Sequence, residues 1–391
     1  MTATPIEHTR ERVSAAVARV RPIIEQHRDE AELDRRLPDS IVRAMLDEEL
    51  FTLWAAREYG GAEAPLQTSM AAVEAVSRID AASGWVFANL GAGSVLAAFL
   101  PEHSARQIYE DGPNIPIGGS VIPNGHAVPV DGGYRLSGRW PLASGCHFAE
   151  WLGGVALVFD GPAPRTGPDG SPDFKNMFFK REACEILDTW HSLGLRGTGS
   201  TDITVNDVFV PEEFVYSVFT APPAVAGPIY KIGILDLFSM ALSSVLLGVA
   251  RAAIDSFVEL AKAKTPTLSQ TGLGNRPTIH AEVARTEALL QSTRAYLFEV
   301  AGELMDVVKG GQGLSEELEA RRRLACVNVG VNCVKVVDAM FALAGSTPVY
   351  SGHGLEKLLR DAHTASQHLV VSPVWWEKTG QFYFGHGLGM P

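Results

Sequence analysis

G-Y-R-L-S-G-R-W-P-L-A-S-G-C-H-F-A-E-W, running from Gly133 to Trp151, is the stretch whose reading decides the fold. Gly132 and Gly133 turn the chain, and Tyr134 and Leu136 then alternate with polar neighbours at the period of a strand. Ser137-Gly138 reads as a second turn, with Trp140 opening a second strand. Ser144-Gly145 pairs a small hydroxyl side chain with a residue lacking Cβ, which lets a flat ligand approach the backbone closely. Taken alone, the stretch predicts a β-hairpin around a buried tryptophan.

Working outward, the segment between Ile115 and about Val215 keeps the same character. Glycine and proline punctuate short alternating runs at Trp151–Phe159, Phe174–Phe179 and Asp202–Val210, with an exposed loop expected over Gly161–Pro172. This predicts a small β-barrel or sandwich. The preceding chain, from Ile6 to about Glu110, is alanine-rich and of helical period. Pro38-Asp39-Ser40 marks a helix start, Tyr59-Gly60-Gly61 a turn, and Pro101-Glu102 a second start. Beyond Pro228 the period is helical again. Leu235, Phe238, Leu242, Val245 and Val249 trace a stripe expected to be buried. Further helices are expected over about 278–308, 315–343 and 355–376, which makes four in an antiparallel bundle. The predicted divisions are therefore 1–114 (α-helical), 115–225 (β) and 226–391 (four-helix bundle), an α+β chain.

Composition narrows the function. The chain has 391 residues, 46% hydrophobic and 20% charged, with a formal net charge of −12. That balance suits a globular protein and argues against nucleic-acid binding, which needs basic surface. The apolar run Ile232–Ala250 contains Asp236 and several serines and reads as a core helix. The polar start of the chain (Glu7, His8, Arg10, Glu11, Arg12) predicts a cytoplasmic protein. Cys146, Cys184, Cys326 and Cys333 show no zinc or redox spacing, and no metal site is predicted. A G-x-G-x-x-G turn between strand and helix is missing, and Ser144 lacks the preceding glycine of a nucleophile elbow.

Gly138, Trp140, Ser144, Gly145, His147 and Trp151 together resemble the middle domain of the acyl-CoA dehydrogenase fold. The order of helices, β domain and helical bundle is similar as well. Within that fold the chain resembles the flavin-dependent monooxygenases, the oxygenase components of two-component hydroxylases. Leu355–Ala362 (L-E-K-L-L-R-D-A) is similar to the V-E-R-x-x-R-D-A run of the dehydrogenases. Where many dehydrogenases then carry a catalytic glutamate, this chain has Leu369. Where a second branch has L-D-L-E, it has Leu235-Asp236-Leu237-Phe238. Both positions are apolar, so abstraction of a proton α to a thioester lacks a carboxylate base.

The resemblance implies roles residue by residue. Ser144 falls at the flavin N5 edge, where a hydroxyl can donate or accept. Ser120 and Trp190 fall near the ring. Lys264 stands at the position of a basic phosphate clamp, and Ser346 is a phosphate contact expected from a neighbouring subunit. His368 is the proton-handling group, on the expectation that its imidazole titrates near neutrality, with His363 and His386 as lesser candidates. Asn89, Gly93, Phe238 and Leu369 are expected to line the substrate pocket. Gly93 replaces a family histidine, and a glycine there is expected to make room for a bulkier substrate. The implied activity is hydroxylation of a small aromatic or other electron-rich substrate through a C4a-(hydro)peroxyflavin. It would use O2 and reduced FMN, or FAD, delivered by a separate NAD(P)H-dependent reductase, in a homotetramer. Two alternatives stand beside it: an acyl-CoA dehydrogenase with a relocated base, and a non-catalytic flavin-binding protein.

Overall fold

The computed structural model describes residues 9–167, 170–218 and 220–389. Glu7 and His8 of the polar start, and Pro168 and Asp169 of the predicted loop, lie outside these. The chain groups into two compact units. The first takes the chain up to Ala64, Val86–His191 and Arg196–Ile234; the second takes Pro65–Trp85, Ser192–Leu195 and the chain from Leu235 on.

In the first unit, helix α1 (Arg10–Asp34) starts at Thr9, whose hydroxyl accepts the Arg12 N–H, satisfying one of the orphan donors of a helix start. Helix α2 (Asp39–Asp47) begins where Pro38-Asp39 predicts, and Gly60 closes the next turn at φ 87°. Helix α5 (Glu102–Ile108) likewise follows Pro101.

Seven strands then form one sheet. They are β1 (Ile117–Val130), β2 (Gly133–Trp140), β3 (Trp151–Val158), β4 (Phe174–Lys180), β5 (Glu185–Leu187), β6 (Asp202–Pro211) and β7 (Val215–Ser217), in the order β5-β6-β2-β1-β3-β4-β7. β1 and β2 make the hairpin, turning at Gly132 with φ 76°. Ser137-Gly138 is not a turn. β2 runs through it, and the register against β6 slips between Leu136 and Gly138, as a bulge. A bulge adds a residue without ending the strand, so its local sequence looks like a turn.

Trp140 explains several glycines at once. Its ring is fully buried and its indole N–H donates to the Val155 carbonyl at 2.8 Å. A Cβ added at Gly125, Gly138 or Gly154 would come within 2.6, 2.7 or 2.8 Å of that ring. Three glycines on three adjacent strands therefore form the socket for one side chain.

In the second unit, α3 (Leu66–Ser77) joins α6 (Ile234–Ala263), α7 (Pro277–Lys309), α8 (Glu316–Ala344) and α9 (Gly354–Ala365). Helix α4 (Ala81–Ala97) starts here and continues into the first unit. Helix α6 is apolar and long enough to cross a membrane by length and composition, yet 83% of its apolar window is buried within the fold, as for a core helix. Its predicted stripe holds at Leu242, Val245 and Val249 but not at Leu235, which is 43% exposed, or at the half-buried Phe238. A helix apolar on most faces has no single stripe for a three-four pattern to select. Cys326 and Cys333 are both buried in α8.

The fourth predicted helix, 355–376, is broken. It ends at Ala365, a single tight turn follows at Leu369–Val371, and α10 spans Val374–Gly380. Pro373 supplies no N–H, and the Leu369 carbonyl is taken by the Trp375 indole at 2.7 Å. Both changes remove hydrogen bonds a continuous helix would use.

Candidate functional site

Three buried hydroxyls lie in a row in the first unit. Ser144 Oγ is 2.7 Å from Ser200 Oγ, which is 2.6 Å from Thr198 Oγ1. The backbone fixes them from both sides. The Gly145 N–H donates to the Thr198 carbonyl and the Ala143 N–H to the Thr201 carbonyl, while Gly145 and Gly199 take positive φ (71° and 54°) to make the two turns meet. The R-G-T-G-S run after β5 thus folds against the Ser144 turn. Thr198 and Ser200 are site candidates that the sequence analysis above does not reach. Hydroxyl residues alternating with glycine, just ahead of a strand, were the available signal.

Ser120 joins the same edge. Its hydroxyl donates to the Pro141 carbonyl at 3.3 Å and accepts the Ile122 N–H at 3.4 Å. Beside it, Val121 is 42% exposed and Leu142 52% exposed. Leu142 also has φ 61°. A bulky residue in the left-handed region is strained, and such strain persists where the surrounding structure imposes it. Exposed apolar side chains beside a row of buried hydroxyls suit a planar ring that is apolar on its face and polar along its edge. An isoalloxazine has that character, so these residues fit a flavin. Trp190 is half-buried in the loop after β5, and its carbonyl accepts from Arg35, whose guanidinium also grips both oxygens of Asp188 at 2.6 and 2.8 Å.

Asn89 is half-buried on α4. Gly93 does not make room: a Cβ there would sit 1.8 Å from the Ile117 carbonyl oxygen. Close packing of α4 on β1 fills the space that the sequence reading left to a substrate. We expect Gly93→Ala to destabilise the protein by about 1–3 kcal/mol, the usual cost of overpacking. A Gly93→His variant should lose soluble yield rather than gain a new activity. Chemical denaturation of the alanine variant checks this, and an unchanged midpoint would mean α4 shifts freely.

In the second unit, His368 stands at the start of the turn that interrupts the last helices. Its Nδ1 accepts the Val370 N–H at 3.4 Å, and its ring meets Trp85 edge-on at 5.6 Å and 70°. Burial pushes its pKa down to about 4, so the expected titration near neutrality is overturned. With Nδ1 accepting, the neutral ring carries its proton on Nε2. Leu369 next to it is exposed. His363 is paired with Asp338 at 2.8 Å, and His386 is exposed near the chain end.

Lys264 does not stand as an open phosphate clamp. Its ammonium donates to the Ala344 carbonyl and to Thr347 Oγ1, both at 2.6 Å, capping the carboxyl end of α8, where a cation complements the helix dipole. It does share this end of the helices with the turn at the exposed Ser346.

Two residues of the L-E-K-L-L-R-D-A run, Lys357 and Asp361, belong to a charged cluster in the same unit. Lys357 donates to Asp80 at 2.9 Å and to Asp361 at 2.7 Å. Asp80 also accepts the Ser83 N–H and hydroxyl at the start of α4, and Asp361 accepts the Leu195 N–H at 2.6 Å. Burial opposes the charge on Lys357, but two carboxylates outweigh it and hold its pKa above the ordinary value. Burial would raise Asp80 too, and Lys357 with Ser83 brings it below the usual range. Asp361 is left above its usual range because burial there exceeds what one shared lysine offsets. Among the described residues no group of histidines, cysteines and carboxylates could hold a metal ion.

The acyl-CoA dehydrogenase N-terminal domain family matches residues 7–106 and the C-terminal domain family residues 240–373. With the helix–sheet–helix order described above, the chain belongs to the acyl-CoA dehydrogenase family, on its flavin-dependent monooxygenase branch. An indole-3-acetate monooxygenase of Acinetobacter baumannii is 29% identical over 84% of this chain and 82% of its own length. The flavin-dependent monooxygenase oxygenase subunit HsaA of Mycobacterium tuberculosis is 28% identical over 97% and 96%. Among solved structures, XiaF from Streptomyces sp., in complex with FADH2 and glycerol, superposes with TM-score 0.90 at 26% identity, covering 98% of this chain and 97% of that one.

Proposed function

We propose that this protein is the oxygenase component of a two-component flavin-dependent monooxygenase that hydroxylates a small aromatic substrate. The observation that carries the reading is the hydroxyl row ending at Ser144 beside the exposed apolar Val121 and Leu142. Two apolar residues, Leu369 and Phe238, at the dehydrogenases' base positions weigh against the thioester alternative. Relatives are named for indole-3-acetate, and one is a FADH2-dependent resorcinol hydroxylase, which points to an electron-rich ring.

Reduced flavin, as FMN or FAD, supplies the electrons that let O2 deliver one oxygen atom to the substrate and the other to water. The chain's own residues do the rest. Ser144 holds the polar edge of the ring, while Ser120 and Trp190 frame it. His368, neutral and protonated on Nε2, donates a hydrogen bond from that nitrogen to an acceptor in the pocket. Asn89, Phe238 and Leu369 are assigned to the substrate side. Ser346 is assigned to the flavin phosphate, with Lys264 reaching it only through the proton its two acceptors leave over. We further propose a cytoplasmic homotetramer, a separate NAD(P)H-dependent flavin reductase as partner, and domain boundaries at 1–114, 115–225 and 226–391.

The test supplies chemically reduced FMN or FAD and 18O2 to the protein with a panel of phenols and indoles. We expect one 18O atom in a ring hydroxyl of at least one product. Anaerobic bleaching of bound flavin by an acyl-CoA thioester, with no oxygenated product from any ring, would replace this reading with the dehydrogenase one.

A further inference from the structure

The Ser144–Ser200–Thr198 row has a property that follows from counting protons. Each hydroxyl owns one proton and can accept from others. Ser200 is 4% exposed and has two hydroxyl neighbours, at 2.7 and 2.6 Å. One proton cannot serve both contacts. Ser200 therefore donates to one neighbour and accepts from the other. The row has two states: Thr198 to Ser200 to Ser144, or Ser144 to Ser200 to Thr198. Rotation about three C–O bonds converts one into the other without moving a heavy atom. In a water-poor site such a choice is tied to whatever lies at the end of the row, because a mismatch leaves a buried polar group unpaired.

We propose that Ser200 and Thr198 are positioning residues that let Ser144 switch between donor and acceptor as the flavin changes oxidation state. This rests on Ser144 facing the flavin N5 edge, as in the function proposed above. Oxidised flavin has an acceptor at N5, and Ser144 donates to it while Ser200 donates to Ser144. Reduced flavin has an N5–H donor. Ser144 accepts from it and turns its own proton to Ser200, which passes the order on to Thr198. Neither state costs a hydrogen bond within the row, and neither requires a titratable side chain. The burial of Ser200 and the fixed turns at Gly145 and Gly199 hold the spacing constant between the two states.

The consequence is a difference between oxidation states that a simple packing role does not produce. Ser200→Ala removes the acceptor that Ser144 uses when reduced flavin is bound. We expect its affinity for reduced FMN and FAD, measured anaerobically by fluorescence titration, to fall about tenfold, the scale of one impaired buried hydrogen bond. Affinity for the oxidised flavins should change less than about twofold. Ser200→Thr, which keeps the hydroxyl, should restore the wild-type ratio. Thr198→Val acts one hydroxyl further out and should shift the ratio in the same direction by a smaller factor; it carries the test by itself should Ser200→Ala fail to fold. Equal weakening of both oxidation states, or no change in either, overturns the switch. Wild-type protein that binds neither flavin in either state would instead remove the functional reading on which the switch depends.

Discussion

Replacing His368 by alanine is expected to lower the product formed per reduced flavin consumed by about a hundredfold or more, the scale of a lost general acid–base group. Reduced-flavin affinity should stay within about twofold. Oxygen consumption would continue with its electrons lost to hydrogen peroxide, so parallel measurement of peroxide and product separates uncoupling from simple inactivation. Coupled hydroxylation within about threefold of wild type would remove His368 from the mechanism. The same group makes a separate statement about pH. Its folded pKa of about 4 lies below the ordinary histidine value. The unfolded chain therefore binds the proton first as pH falls. The stability associated with keeping the ring neutral is fully present above about pH 6.5 and is lost progressively down to about pH 4, amounting to at most roughly 3 kcal/mol. A His368→Gln variant escapes this loss, so its melting temperature should gain on wild type across that window. Activity, in turn, should show no histidine-like step between pH 6 and 8 from this residue.

Replacing Lys357 by methionine is expected to cost about 3–5 kcal/mol of stability, because it strands two buried carboxylates that now face only each other and a few N–H and hydroxyl donors. Asp361→Asn should be far milder. It leaves Lys357 paired one-to-one with Asp80, and the amide oxygen can still accept the Leu195 N–H. Urea unfolding of the two variants gives the comparison. A Lys357→Met loss below about 1 kcal/mol would mean that water or a protonated carboxyl already relieves the cluster. The damage should also spread locally. The Ser192–Leu195 segment is held on α9 by the Asp361 bond, by Arg360 donating to the Leu193 carbonyl at 2.9 Å, and by an approach so close that a Cβ on Gly194 would lie 2.2 Å from the Arg360 carbonyl oxygen.

The helix starts at Pro38-Asp39 and Pro101, the glycine turn after Tyr59 and the β character between Ile115 and Val215 were all readable, because each depends on a few adjacent residues. What could not be read depends on partners distant in sequence. Nothing in H-L-V-V-S-P shows that the Trp375 indole will take the Leu369 carbonyl and that His368 will cap a turn. Nothing in A-K-A-K-T-P shows that Lys264 will close the end of a helix eighty residues later. Gly93 looked like space because a missing side chain has no sign of its own; only the Ile117 carbonyl reveals that backbone occupies it. The sequence names Ser144 and His368 as candidates through a resemblance, but not the hydroxyls around the one or the burial of the other, which depend on residues distant in the chain.

The glycine socket of Trp140 bears on how this sequence can change over time. Gly125, Gly138 and Gly154 each lie within 3 Å of the ring once given a Cβ, so no one of them can accept alanine while the tryptophan stays. Losing the tryptophan first would open a void that three separate small-to-large changes would be needed to refill. Single-step drift is blocked in both directions, and four positions spread over thirty residues are bound to persist or be replaced together. A library meant to reshape the nearby Ser144 turn will keep more folded members if it leaves these four positions untouched.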